Sequence, residues 1–536
     1  MDRRLKRHFA LFAFIVFFFL LFGLLPVIFL IIRSVQEFLA SDTDLMAYLL
    51  KKSNLDLIKN SLSLSFIVSV ISLSVGVFFG TILWGVQLRF KKLFKLSLLI
   101  PLIIPPYIYS ICFERMFHIK SLFGSLLIII GLSEQTIQSI LHGMMGSAIV
   151  LCGIFIPITS LIVSTLFSRI SSSMIDAART CSSDFKLMSG IVLPFSKYAL
   201  ISIFFVIFLL TLAQLEIPNF FSLNVIPFEI LTQFAAFHNY SLSMMASLPL
   251  FLLSLIIFMM EVILIKKSDL LVNKVTLGKI NLFHSSRTLF SLSLFIFIFI
   301  LIYLPIGNLF SRNLSLEFMI QLISESKTEI WNSVYLSFLG GIFLTLFGLA
   351  MALLKTDRRF PFKSSMDFFS LFSFIFPNII LGLALILFWN QDNPLFSFFY
   401  TSFLIILFAY LFHFNIFPQR IISDHLRQLP PSIEEAGMLA GAGKMKRIIF
   451  LILPNIKESI ITSFLLSFLF CLGEIGTTIF IYPPGFQTLP IKIFTVEANS
   501  PEHVVSGLAV LLILLILIPA LSILVLQEMR RKYVHH

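Results

Sequence analysis

Two acids stand nearly alone in apolar surroundings, Glu216 in AQLEIPNF and Glu474 in CLGEIGTT. An ionised carboxylate at mid-depth in a bilayer costs on the order of 2.5–3.5 kcal/mol or more, so such a group faces a cavity, a polar partner or the interface. Two readings fit the pair. Either they line one central path, or each sits at the interface, hydrogen-bonded to neighbouring backbone or to Thr477 and Thr478. The prolines Pro105 and Pro377 break helices nearby, and a broken helix in a membrane is tolerated mainly in protein interior or beside water. Pro105, Pro377, Glu216 and Glu474 are therefore the candidate path residues. Glu114 and Glu261, near span ends, read as anchors.

A second set of residues lies in two polar islands. Residues 432–454 read SIEEAGMLAGAGKMKRIIFLILP, and residues 173–194 read SMIDAARTCSSDFKLMSGIVLP. Each opens with Ser followed three residues later by an acid, Ser432 with Glu435 and Ser173 with Asp176, which is the spacing of a capping box. Each island is expected to begin a short helix. Gly441 is expected to supply a turn or a close backbone approach, and Lys444, Lys446 and Arg447 to act as anchors at the membrane face.

Other chemistries find no support in the residues. The ten histidines are scattered, with no HExxH, and Cys112, Cys152, Cys181 and Cys471 form no CxxC pair. Neither a metal site nor a disulfide framework is expected, no cofactor is expected, and the chain does not read as an enzyme. The stretch AGAGKM resembles a phosphate loop but has five residues between Gly437 and Gly443 where four are needed, and Met445 stands in place of Ser or Thr.

The elements that must position these residues are membrane helices. With 58% hydrophobic residues, 64 Phe and 12% charged residues, and a mean hydropathy of +1.00, the composition is that of an integral membrane protein. Runs of roughly 20 apolar residues, enough to span as helices, occur about twelve times: 9–32, 61–87, 96–113, 143–167, 195–215, 241–265, 288–310, 331–354, 366–389, 396–417, 458–480 and 504–526. The first is too long for the apolar region of a signal peptide and is read as a retained helix. The net charge of +12 resides in short loops and follows the positive-inside rule, so nucleic acid is not an expected partner. Both termini and both islands then face the cytoplasm.

The two halves are copies. Ile58-x-Asn60-Ser61-x-x-Leu64-Ser65-Phe66 recurs as Ile330-x-Asn332-Ser333-x-x-Leu336-Ser337-Phe338, and Pro105 and Pro377 share the same offset. Beyond an insertion between Phe117 and His142, Asp176 pairs with Glu435, Pro194 with Pro454 and Glu216 with Glu474. LFGSLLIIIGL in that insertion is too short to span; it reads as an interfacial segment or a plain external loop. The fold expected is all-α, two parallel six-helix repeats, with halves 1–265 and 288–536 joined by a polar, basic linker at 266–287. An internal parallel repeat argues against the inverted plan common in secondary transporters. Hydrophilic stretches are short, so no ATPase domain is expected in this chain.

The second island resembles the EAA loop of ATP-binding-cassette importer permeases: Glu435-Ala436-Gly437, then Gly441, then Leu451-x-Leu453-Pro454, with Gly437 in place of the second Ala and Leu451 in place of Ile. The first matches more loosely, with Asp176-Ala177-Ala178 as the triplet, Ser182 in place of the Gly, and one residue fewer before Pro194. Residues 473–489, GEIGTTIFIYPPGFQTL, resemble a stretch of fused iron(III)-importer permeases, with Thr477 in place of Ala. The resemblance implies a permease in a bacterial inner membrane, contacting lipid, whose Asp176, Ala177, Ala178, Ser182, Glu435, Ala436, Gly437 and Gly441 receive two ATP-binding-cassette ATPase subunits. It further implies a periplasmic or lipid-anchored solute-binding protein that delivers the cargo. Iron(III) is the first expectation for that cargo; aminoethylphosphonate, thiamine, sulfate and molybdate permeases share parts of the region. An ion-coupled secondary transporter using Glu216 and Glu474 is the rival of another class.

Overall fold

The computed structural model describes residues 3–40, 51–118, 121–170, 172–180, 183–269, 282, 287–310, 315–357, 360–497 and 499–534. These residues are helical or in short connections, and the protein is an all-α integral membrane protein. Among them, 8 helices are long and apolar enough to cross a membrane, or up to 12 if each of four sharply bent pairs counts as one span.

Two of the four bends follow from proline. The expected spans at 96–113 and 366–389 are each two limbs, Lys91–Ile103 with Pro106–Phe117 at 108° and Lys363–Ile375 with Asn378–Trp389 at 94°. The residues at the break, Ile104 before Pro105 and Phe376 before Pro377, have extended backbones with ψ 128° and 131°, because a following proline ring excludes the helical conformation. A gentler effect recurs four times at Leu-Pro. One π-helical turn of five residues precedes Leu25-Pro26, Leu193-Pro194, Leu304-Pro305 and Leu453-Pro454. The widened turn relieves the clash of the ring with the preceding turn without ending the helix.

Three further spans differ from the sequence expectation. The one expected at 396–417 is Pro394–Thr401 with Leu404–Phe414, bent by 75°. Asp184–Leu212 is a single helix of 29 residues, so the latter part of the first island belongs to the span and not to a loop. In the second half the corresponding helix bends by 74° between Asn455 and Lys457. There the Asn455 side chain donates to the Leu451 carbonyl at 2.7 Å, a side-chain bond to the carbonyl four residues back of the kind that bends helices. The insertion holds two short helices, Leu122–Ile129, capped by Ser121, which accepts from Gly124 N at 2.8 Å, and Glu134–Leu141, capped by Ser133, which accepts from Thr136 N at 3.2 Å.

Contacts group the chain into two compact units that do not follow chain order, Met1–Arg33 with Ser315–His536, and Ser34–Leu314. In the unit formed by Ser34–Leu314, Lys52–Gly85 lies along Met144–Phe167. A Cβ on Gly76 would come within 2.5 Å of Thr159, and one on Gly80 within 2.8 Å of Val163. Small residues permit this approach, and the buried Ser65 and Ser69 satisfy their hydroxyls on the carbonyls four residues back, at 2.7 and 2.6 Å. Arg287–Phe310, which by sequence opens the second half, packs in this unit: Ser97 and Tyr303 share a 2.7 Å hydrogen bond, Tyr109 bonds to the Leu301 carbonyl, and Phe79 stacks on Phe297.

In the other unit, Lys327–Thr356 approaches Ile416–Gln428 so closely that a Cβ on Gly348 would lie 2.6 Å from Pro418 and 2.8 Å from Gln419 N. The helix that opens the chain packs here, with Phe18 against Phe347, Phe19 stacked on Phe369, and Phe22 stacked on Phe408 and Trp389. The two leading helices are thus each grouped with helices of the opposite sequence half.

The repeated Asn-Ser pair does the same work in each unit. Asn60 donates to Asn224 O at 3.0 Å and Ser61 accepts from Ile226 N at 2.9 Å. Asn332 donates to Gly485 O and Gln487 O at 2.9 and 3.2 Å, and Ser333 accepts from Leu489 N at 2.6 Å. Ile226 and Leu489 each begin a short helix, Ile226–Leu231 and Leu489–Val496, whose first N–H groups lack partners within the helix. A hydroxyl on a neighbouring helix supplies one. Ser333→Ala should lower stability by about 1–3 kcal/mol, the cost of orphaning a buried N–H, read as a fall in the melting temperature of the detergent-purified protein; an unchanged midpoint would show that the bond contributes nothing.

Candidate functional site

The islands form the helices Ser172–Arg179 and Pro431–Leu439. In the second island the expected capping box is not what starts the helix. The second helix begins at Pro431, its N-cap is Pro430, and no side chain caps it, because proline at the first helical position needs no N–H partner and has its φ already set. Ser432 therefore sits inside the first turn. In the first island Ser173 likewise lies within the helix.

The far end of the second helix is sharply defined. Gly441 has φ +72°, its N–H donates to Met438 O at 3.0 Å, and Ala442 N donates to Gly437 O at 3.0 Å. This is a Schellman ending, which requires the left-handed conformation that glycine adopts without strain. The corresponding Ser182 lies outside the described residues.

Gly437 is buried, and a Cβ there would stand 2.5 Å from Leu451 and 3.1 Å from the Arg447 side chain. Arg447, expected as a surface anchor, is 4% exposed. It places Nη2 3.3 Å from Glu434 Oε1 and donates through Nη1 to Ala442 O at 3.2 Å. Arg447 therefore ties the helix to the segment that follows it. At the positions matching Glu434 and Arg447, the first island has Ile175 and Leu187, both fully buried in one apolar cluster with Trp84, Phe167 and Val192. At these two positions the contact is ionic in the second loop and apolar in the first, whose own ion pair joins Arg179 to Asp184 at 3.4 Å. Lys444 pairs with Asp357 at 3.7 Å.

The outer faces are open. Asp176 and Ala177 are exposed and Ala178 half-buried; Glu435, Ala436 and Gly441 are exposed. Ser432, Glu435, Ala436 and Leu439 recur at helical spacing on the exposed side. Large apolar side chains crown both loops: Leu439 is 91% exposed, and the equivalent residues Phe185 and Met445 are 75% and 69% exposed.

The second group of candidates is split by the structure. Glu474 is 7% exposed, and both carboxylate oxygens accept backbone hydrogen bonds, Oε1 from Thr477 N at 2.6 Å and Oε2 from Thr478 N at 3.1 Å. It holds the start of the short helix Thr478–Ile481. Glu216 is half-buried, accepts from the Gln214 amide, and begins Glu216–Phe220. In each unit the limb that follows the broken proline packs against the short helix near the acid. Thr477 donates to Asn378 O at 3.2 Å, beside Pro377, and Tyr107, two residues after Pro105, meets Phe220 edge to face at 5.6 Å. Glu261, expected as an anchor, is instead buried, and accepts from Ser202 Oγ at 2.5 Å.

Sequence reasoning missed the Arg447–Glu434 brace, the work of the Asn-Ser pairs and the Leu-Pro turns. The last two were visible as repeats whose purpose only contacts reveal. Among the described residues, no group of three or more His, Cys, Asp or Glu is placed to hold a metal ion.

Residues 344–532 match a family model described as "Binding-protein-dependent transport system inner membrane component". The matched stretch includes Pro377, the second loop and Glu474. The chain is 28% identical over 174 residues to the putrescine transport system permease protein PotI of Escherichia coli K12, covering 31% of this chain and 59% of that protein. It is 25% identical over 201 residues to the putative 2-aminoethylphosphonate transport system permease protein PhnV of Salmonella paratyphi A, covering 37% of this chain and 72% of that protein. It is 31% identical over 157 residues to the sulfate transport system permease protein CysT of Salmonella typhimurium, covering 27% and 55%. The chain thus spans 59% of the length of the putrescine relative.

Proposed function

We propose that this chain is the fused permease subunit of a binding-protein-dependent ATP-binding-cassette importer, a multi-pass protein of the bacterial cytoplasmic membrane with both termini inside. The observation that carries the reading is the pair of braced loop helices, each presenting an acid and small residues outward and crowned by an exposed large apolar side chain. A loop exposing Met438, Leu439 and Met445 together is suited to burial against a partner, since a group of exposed large apolar side chains marks an interaction surface. The partner is a pair of ATPase subunits, one for each loop, and their closing moves the loops and the helices that continue from them. The similarity of residues 344–532 to permease components supports the same assignment.

The cargo is a small solute handed over by an external binding protein. The resemblance of residues 473–489 favours iron(III); the relatives' names put putrescine, aminoethylphosphonate and sulfate beside it. Selection falls to the binding protein. Pro105, Pro377, Glu216 and Glu474 remain the candidate path residues, with Glu474 also accepting two backbone N–H groups.

The test is uptake by proteoliposomes holding the chain with its cassette ATPase and the binding protein. Solute should accumulate only with ATP inside the compartment that faces the loops. Gradient-driven accumulation by the chain alone would instead establish the ion-coupled transporter.

A further inference from the structure

The connection between the sequence halves does more than join them. Its residue Leu282 is fully buried. Its N–H donates to Gly85 O at 2.7 Å, one of the carbonyls that the end of the Lys52–Gly85 helix leaves without an internal partner. The fit is close, since a Cβ on Gly85 would lie 2.9 Å from Leu282 Cδ1. Leu282 shares its cluster with Trp84, Phe167, Ile175 and Leu187. Ile175 lies on the first loop helix, and Leu187 is its apolar counterpart across the brace.

The second loop is braced within itself, by Arg447 on Glu434 and on Ala442 O. The first has no charge at either position; its ion pair, Arg179 with Asp184 at 3.4 Å, is partly exposed, and the buried part of its brace is apolar and holds only as far as it is kept from water. We propose that Leu282 is a positioning residue for the first loop helix, a peg from the downstream connection that closes the apolar brace and sets the helix at the angle its ATPase partner meets. The word partner rests on the function proposed above; the peg itself does not.

The experiment needs no partner. Cys152, Cys181 and Cys471 are replaced by Ala, Ile175→Cys is introduced, and native Cys112, which is fully buried in the same unit, serves as reference. Maleimide labelling is followed for each cysteine in native membranes. Leu282→Ser should raise the labelling rate at position 175 by at least tenfold and leave Cys112 unchanged, and Leu282→Met should restore slow labelling. Equal rates at 175 with Leu, Met and Ser would overturn the peg, as would acceleration at both cysteines, which means general loosening of the unit. If position 175 responds as expected while ATP-driven uptake is absent from every variant including the parent, the peg stands and the importer reading fails.

Discussion

With Leu439 replaced by Asp, the purified chain is expected to lose its ATPase, with affinity falling about 100-fold or more and uptake with it. Leu439 touches little in its own fold, being 91% exposed at the end of Pro431–Leu439, so the change leaves membrane insertion and melting temperature as they were. Burying a leucine against a partner contributes about 1.5–3 kcal/mol, and forcing a carboxylate into that position adds desolvation; together these reach the 2.7 kcal/mol that corresponds to 100-fold. Glu435→Arg, four residues back on the same exposed face, should act in the same direction. Co-purification of the ATPase with tagged chain reads both. Retention of the ATPase by Leu439→Asp at the parent level would remove the loop from the interface.

The second large effect concerns the ionic brace. Glu434→Ala leaves the buried guanidinium of Arg447 with one carbonyl partner, Ala442 O. The loss of a hydrogen bond to a charged group costs about 1.5–3 kcal/mol, and local opening becomes correspondingly easier. Hydrogen exchange in a peptide covering residues 431–442 should accelerate by about 10- to 100-fold. The paired change Glu434→Ile with Arg447→Leu copies Ile175 and Leu187 of the first loop, and exchange should return to within about threefold of the parent. A paired variant no slower than Glu434→Ala would show that the two braces are not interchangeable.

Legibility from sequence differed by kind of feature. The helix at each island was readable, but its start was not. A Ser with an acid three residues later is a local signal, and Pro430-Pro431, just upstream, outweighed it by pre-setting the backbone. Gly441 was read correctly as a turn because left-handed backbone is a property of one residue type. Arg447 was taken for an anchor because a lysine-rich stretch masks the single cation that turns inward, and Glu261 for the same reason of position near a span end.

What the amino-acid order determined by itself is the all-helical membrane class, the internal duplication, the two loop helices and the proline breaks, because each rests on composition, periodicity or one residue's backbone limits. Tertiary structure decided which helix packs with which, since a helix such as Phe9–Gln36 is apolar on every side and carries no mark of its neighbour. It also decided that Glu474 accepts from the backbone, that Arg447 pairs with Glu434, and that Leu282 joins the apolar cluster that holds Ile175. Those are pairings between residues distant in sequence, and a pairing acquires meaning only when folding brings its second member into reach.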